Sequence, residues 1–227
     1  MIKGIIFDVD GVIIDTENIH FLLYQKILSN YGYKLTHDSS KSHLSGRSLK
    51  GGLTSILPEI PLRKGLSDEE LMDTLAQQKI NLTVDHFQKQ IVYFADTIEF
   101  IKKIAHGGRS VGNKGTMVDK PILAMATGLE QQLVDLVLNQ HNLRQIFSVV
   151  VTAEQYTKSK PDPECYQIAL QKMNLKAQDV IGVEDAPAGV QALNKAKIYS
   201  IGLTNTHSRE ELHEAAQIAE ALTELIK

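Results

Sequence analysis

Two aspartates sit two residues apart in an otherwise apolar run, Lys3–Asp10, bracketed by Gly4 and Gly11. In an extended chain Asp8 and Asp10 project to the same side. Carboxylates that converge on one small volume repel, and each is costly to desolvate. A divalent cation removes the conflict. No His or Cys cluster accompanies the pair, so Mg²⁺, which prefers oxygen ligands, is the expected ion. Three further polar positions come after apolar blocks. Thr127-Gly128 follows Ile122–Ala126, where a hydroxyl and the amides opening the next helix suit phosphate oxygens. Lys160-Pro161 follows Ile146–Val151 and a short loop, and its ammonium would neutralise an anionic substrate and the first carboxylate. Glu184-Asp185 follows Val180–Val183 and adds two acids, one of them a candidate for the same cation. A metal cup with a hydroxyl and a lysine suits phosphoryl transfer, in which positioning and charge neutralisation supply most of the catalysis. It also suits an aspartate nucleophile that divides one displacement into two.

These groups meet only if the blocks are neighbouring strands. The Lys3–Asp10 block reads as a buried parallel strand, and so do Ile122–Ala126, Ile146–Val151, Val180–Val183 and Ile198–Leu203. Helical patterns lie between them. One runs through Leu129, Leu133 and Val137. A second runs through Ile168, Ala169 and Met173, with Asp162 as cap and Pro163 at the first helical position. A third runs through Ala188, Ala192 and Leu193. The alternation predicts an α/β fold, a Rossmann-like parallel sheet with helices on both faces. Residues 16–90 differ: Ile19, Leu22, Leu23 and Ile27 repeat at helical spacing. Ser67-Asp68-Glu69-Glu70 reads as a capping box before Leu71 and Leu75, and no strand block intervenes. The expected organisation is a catalytic core of 1–15 and 91–227 with an inserted α-helical cap domain, 16–90. His106–Lys120, with four glycines and little periodicity, reads as a surface insertion at the sheet end away from the chemistry.

In order, DVDGVIIDTE, ILAMATG, KSKPDP and VIGVEDAPAG resemble the motifs of the haloacid dehalogenase superfamily of phosphohydrolases. The likeness is greatest to the branch with a helical cap after the first strand, which includes β-phosphoglucomutase and small sugar-phosphate and phosphoglycolate phosphatases. The resemblance implies that Asp8 is the nucleophile and Asp10 the general acid, then base. It implies that Thr127 and Lys160 hold the transferred phosphoryl group and that Lys160 pairs with Asp8. Mg²⁺ would be held by Asp8, the carbonyl of Asp10 and Asp185, with Glu184 acting behind them or through water. Thr16 stands at the hinge. His20, one turn into the first cap helix, belongs either to the helix face or to the substrate's edge. The mutases carry a lysine before a glycine in the cap loop, whereas here Leu44-Ser45-Gly46-Arg47-Ser48 has Ser45 at that place. A Gly-Arg-Ser loop looks more like the phosphatases. Gly46 would let it approach the site and Arg47 would contact an anionic or hydroxyl-rich part of the substrate.

The expected activity is therefore Mg²⁺-dependent hydrolysis of a small phosphorylated metabolite, with a sugar phosphate as one candidate, through an aspartyl-phosphate. A phosphomutase is the alternative, and a non-catalytic metabolite binder on the same fold is the alternative of another class. A dehalogenase needs no metal, which Asp10 and Glu184-Asp185 argue against. Composition narrows the setting. With 24 Lys+Arg against 27 Asp+Glu, the charge of −3 argues against a nucleic-acid or anionic-membrane partner. No apolar run approaches the ~20 residues of a membrane span, and the start lacks the pattern of a signal peptide. The single cysteine, Cys165, excludes an internal disulfide and a multi-Cys metal site, and reads as a buried hydrophobe. A cytoplasmic monomer is the expectation.

Overall fold

The computed structural model describes residues 1–44, 47–107, 110–111 and 115–225. Its strands are β1 (Ile2–Phe7), β2 (Ser110–Val111), β3 (Gly115–Ala126), β4 (Val149–Val151), β5 (Val180–Glu184), β6 (Tyr199–Leu203) and β7 (Gln217–Ala219). They form one sheet in the order β2-β3-β1-β5-β6-β7, with β4 alongside the end of β3. All pairings are parallel except that of β2 with the start of β3. β1 is central: Ile6 pairs with Ala124 on one side and Gly182 on the other.

The helices among the described residues are α1 (Glu17–Ser29), α2 (His37–His43), α3 (Leu49–Ile56), α4 (Asp68–Lys89), α5 (Ala95–Ala105), α6 (Gln131–Leu138), α7 (Leu143–Ile146), α8 (Glu164–Met173) and α9 (Pro187–Lys195). Alternation along the strands divides the core. Ile5 and Phe7 pack with Phe100 of α5 and Val134 of α6, whereas Ile6 packs with Tyr166 of α8 and Leu193 of α9. Helices thus cover both faces of a parallel sheet, as the apolar blocks predict. None of the described helices is long and apolar enough to cross a membrane.

α1 to α4 lie between β1 and α5 and enclose a hydrophobic cluster of their own, with Leu28, Leu53, Ile56, Leu71 and Leu75 fully or almost fully buried. α4 begins at the expected capping box, in which Ser67 accepts from the Glu70 amide and the Glu70 carboxylate accepts from the Ser67 amide. The chain enters and leaves this helical segment along two adjacent stretches. Asp15 N–H donates to Val92 O at 2.9 Å and Phe94 N–H to Ile13 O at 3.0 Å.

Three local expectations are corrected. The Ile146–Val151 block is not all strand: Ile146 closes the helical turn α7, and β4 begins at Val149. A short apolar run does not distinguish a buried helical turn from a strand. Within the segment 106–120 the described residues include strand: β3 starts at Gly115 and pairs antiparallel with β2. Met117 is buried against Ile2, which gives that extension an apolar anchor. α8 starts one residue late, with Pro163 at the N-cap, although Asp162 Oδ1 still accepts the Glu164 amide at 3.1 Å.

Candidate active site

The carboxyl ends of β1, β3, β4 and β5 point the same way, and the four motifs extend from them. Asp8 is fixed as β1 ends, where its amide donates to Val183 O at 3.0 Å. Asp185 follows β5 directly. Gly11 turns the chain away from the sheet with φ +73°, and a Cβ there would lie 1.9 Å from Asp185 Oδ2. Only glycine combines that backbone conformation with that approach. Asp8, Glu184 and Asp185 each bring a carboxylate oxygen within 4.8 Å of the others, and all three are buried.

One ammonium faces the three acids. Lys160 Nζ, 3 % exposed, lies 2.7 Å from Glu184 Oε1 and 3.1 Å from Asp8 Oδ1. Burial alone would lower its pKa, but Asp8 and Glu184 hold it well above the ordinary lysine range. The contact with Asp8 has ion-pair distance without hydrogen-bond alignment, so Asp8 Oδ1 is buried with no donor aimed at it. Burial and then the Glu184 charge push the Asp8 carboxyl up to about 8, against the pull of Lys160. Asp185 is likewise raised, by burial and then by Glu184 and Asp8. Glu184 is the best satisfied of the three. Lys160 and the Tyr166 hydroxyl donate to its Oε1, and the Asp185 amide to its Oε2. One lysine cannot balance three buried carboxylates, and one Asp8 oxygen is left without a donor. This donor set of hard oxygens fits a divalent cation such as Mg²⁺.

The Asp10 carboxylate is turned to other partners. Thr16 Oγ1 donates to its Oδ1 at 2.8 Å, and His20 Nε2 lies 3.3 Å from the same oxygen. Burial would raise its pKa, but the His20 charge, the hydrogen bonds from His20 and Thr16, and the Lys79 charge together lower it. Thr127 is fully buried behind the site. Its Oγ1 accepts the Leu129 amide at 3.1 Å, which leaves the hydroxyl proton to donate. Gly128 is where the helical segment comes closest: a Cβ there would meet Ser48 Cα at 3.0 Å and Arg47 O at 3.1 Å. The Ser48 and Ser159 hydroxyls join the same two parts.

Between the sheet ends and the helical segment lies a cavity of about 150 Å³. It is lined by Asp8, Asp10, Thr16, His20, Arg47, Gly128, Lys160 and Asp185 from the sequence-derived set, with Thr127 and Glu184 behind its wall. Gly46 lies outside the described residues.

Four contributors were not anticipated. Lys79, in α4, reaches His20 Nδ1 at 2.7 Å and Thr83 Oγ1 at 3.1 Å, and burial lowers its pKa to about 8. Its signal was in the sequence: Leu71, Leu75, Lys79, Thr83 and Phe87 form the buried stripe of α4, and a lysine is out of place there. Thr206, beyond β6, donates to Asp185 Oδ2, and Asn205 Nδ2 to Gly11 O at 2.8 Å. The polar turn after a fifth parallel strand was its signal. Tyr166 gave none, being one apolar position among several in α8.

Residues 5–203 match the family described as haloacid dehalogenase-like hydrolase. A phosphorylated carbohydrates phosphatase of Thermotoga maritima is 27% identical over 199 residues, 88% of this chain and 83% of that protein. A fructose-1-phosphate phosphatase of Escherichia coli is 27% identical over 85% of this chain and 92% of its own. Among solved structures, a β-phosphoglucomutase from Clostridium difficile superposes with TM-score 0.82 at 24% identity, over 99% of this chain and 93% of that one.

Proposed function

We propose that this chain, which belongs to the haloacid dehalogenase-like hydrolases, is a phosphatase that cleaves a small phosphorylated metabolite through an aspartyl-phosphate on Asp8. The observation that carries the reading is the buried centre itself, an Asp8 oxygen without a hydrogen-bond donor, facing Lys160 in a cavity at the sheet's carboxyl edge. An Asp8 oxygen forms the new bond to phosphorus as the ester P–O bond breaks, and the leaving oxygen takes a proton from Asp10. Water then attacks the same phosphorus while Asp10 takes its proton, releasing phosphate and restoring the Asp8 carboxylate.

The remaining residues have supporting parts. Lys160 and Thr127 hold the phosphoryl oxygens. His20 and Thr16 keep the Asp10 carboxylate at the edge where a leaving group departs. Asp8 and Asp185 would hold Mg²⁺ together with the Asp10 carbonyl, and Glu184, satisfied by its own donors, would orient them. The cation would add positive charge to the centre and draw down the proton affinity of Asp8. The 16–90 segment serves as a lid that excludes bulk water when shut.

A panel of phosphorylated metabolites with Mg²⁺, assayed for both phosphate release and isomerised product, tests this reading. Phosphate release that disappears in Asp8→Asn is expected. An isomerised product without net phosphate release would replace the hydrolase with a phosphomutase. Tight binding without turnover of any substrate would replace it with a metabolite binder.

A further inference from the structure

The turn that follows β6 touches both strand ends of the acidic centre with two consecutive side chains. Asn205 Nδ2 donates to Gly11 O at 2.8 Å, and the Thr206 hydroxyl donates to Asp185 Oδ2. Gly11 belongs to the turn after β1, and Asp185 follows β5. The turn that joins them is itself held at both ends. The Thr204 amide donates to Ala219 O at 3.1 Å, and the Ser208 and Glu211 amides each donate to the other's side chain. Leu212, next in the chain, is fully buried beside Gly202 of β6. A hydroxyl carries one proton. With the Thr206 proton on Asp185, His207 Nδ1, 2.9 Å from Thr206 Oγ1, is the donor to that oxygen. Thr206 is thus satisfied from behind and its proton is aimed at the acid.

The Asn205 contact falls on the stretch between the reacting centre and the hinge. After Asp10 the chain reverses. Val9 O accepts the amides of Ile13 at 2.8 Å and Ile14 at 3.1 Å, and Gly11 N–H donates to Ile14 O at 2.9 Å. From Ile13 onward the same stretch is tied to the returning chain at Val92 and Phe94. A short turn therefore lies between Asp10 and the axis of the lid. Its internal bonds are local, so a displacement of the hinge would pass along it to Asp8 and the Asp10 carbonyl unless it were gripped from outside. Asn205 grips it at Gly11, on the centre's side of the hinge. Gly11 is also where the Asp185 carboxylate comes close. The two contacts thus act on loops that already abut, and they fix how far apart those loops stand.

We propose that Asn205 and Thr206 are positioning residues, a clamp that fixes the turn after β1 against Asp185 and keeps that spacing while the hinge moves. They act through Gly11 and Asp185 rather than on the substrate. The inference rests on the reading of Asp8, the Asp10 carbonyl and Asp185 as the holders of Mg²⁺.

The test measures Mg²⁺ binding by calorimetry in wild type, Asn205→Ala, Thr206→Ser, Thr206→Val and the double variant Asn205→Ala/Thr206→Val. Asn205→Ala removes a donor that does not itself face the cation, and should raise the Mg²⁺ Kd about fivefold. Thr206→Ser keeps the hydroxyl and should bind as wild type does. Both side chains hold one spacing, so the double variant should be no more than about twofold weaker than Thr206→Val alone. An unchanged Kd in Asn205→Ala, a Thr206→Ser as weak as Thr206→Val, or two single effects that simply multiply overturns the proposal. The metal-free protein supplies a second readout, amide hydrogen exchange followed by NMR. In Asn205→Ala, exchange at Val12, Ile13 and Ile14 should quicken about tenfold while Ile5 and Ile6 of β1 keep their wild-type rates. Equal acceleration at both places means general loosening of the fold and overturns the clamp. Failure of the cation reading would look different, because wild type itself would then bind no Mg²⁺. The exchange rates would still decide the clamp, local acceleration supporting it and unchanged rates overturning it.

Discussion

Asp8 carries a proton in the native, cation-free protein at pH values where the unfolded chain has lost it. Its carboxyl lies at about 8 when folded, against an ordinary value of 3.8, because burial and then Glu184 oppose its ionisation. A carboxyl raised on folding makes the native state bind the extra proton, so stability falls as pH rises through that window. The effect is absent below 3.8 and complete above about 8. One proton corresponds to about 1.4 kcal/mol per pH unit, and the whole span to at most ~6 kcal/mol. A cation held by the same carboxylates competes with that proton. The rise in Tm produced by saturating Mg²⁺ should therefore grow with pH. For a chain of this size the growth from Asp8 is about 3–6 °C per pH unit between about pH 5 and about pH 8. The measurement is thermal denaturation followed by circular dichroism, with Mg²⁺ and with chelator at each pH, so that titrating groups indifferent to the cation cancel. Asp8→Asn should remove that part of the slope and leave whatever Asp185 contributes. A Mg²⁺-dependent rise that is flat across the range, or equally steep in wild type and Asp8→Asn, would refute the assignment of Asp8 to the cation-binding centre.

Other perturbations have equally definite outcomes. Lys160→Met leaves Asp8 and Glu184 buried without their ammonium, so turnover should be lost and metal-free stability should drop by about 3–5 kcal/mol, read by urea denaturation. Thr206→Val frees Asp185 Oδ2 from its hydroxyl donor, and the Mg²⁺ dissociation constant measured by calorimetry should rise roughly tenfold, about 1.4 kcal/mol. Ser67→Ala removes a cap far from the chemistry; stability should fall by about 1 kcal/mol in thermal denaturation while kcat stays as in wild type.

The sheet was legible because its strands are short, continuous apolar blocks that end in polar residues, as in Ile5-Ile6-Phe7-Asp8 and Val180–Glu184. In a parallel sheet those ends share one edge, so motif order alone brought Asp8, Thr127, Lys160 and Asp185 to one place. What escaped reading depends on side chains that choose partners only after the chain has folded. The Asp10 carboxylate follows Thr16 and His20 rather than the acidic cluster, and no spacing rule states that preference. Lys79 is 59 residues from His20 in sequence, and nothing local to either announces the contact. The segment 106–120 was misread because its glycines mask a strand anchored by one buried methionine, Met117.

The two chain crossings between the sheet and the helical segment are tied to each other at Asp15–Val92 and Phe94–Ile13. A lid on a single tether could swing and twist freely. One carried on two strands laced together has, in effect, a single axis about which to turn. Thr16 follows immediately after the first crossing and holds Asp10, so rotation about that axis would carry with it a hydrogen-bond donor of the Asp10 carboxylate. Under the proposed mechanism, opening the cavity would turn the proton donor away as well as admit water, so the hinge itself would guard an open enzyme against idle hydrolysis.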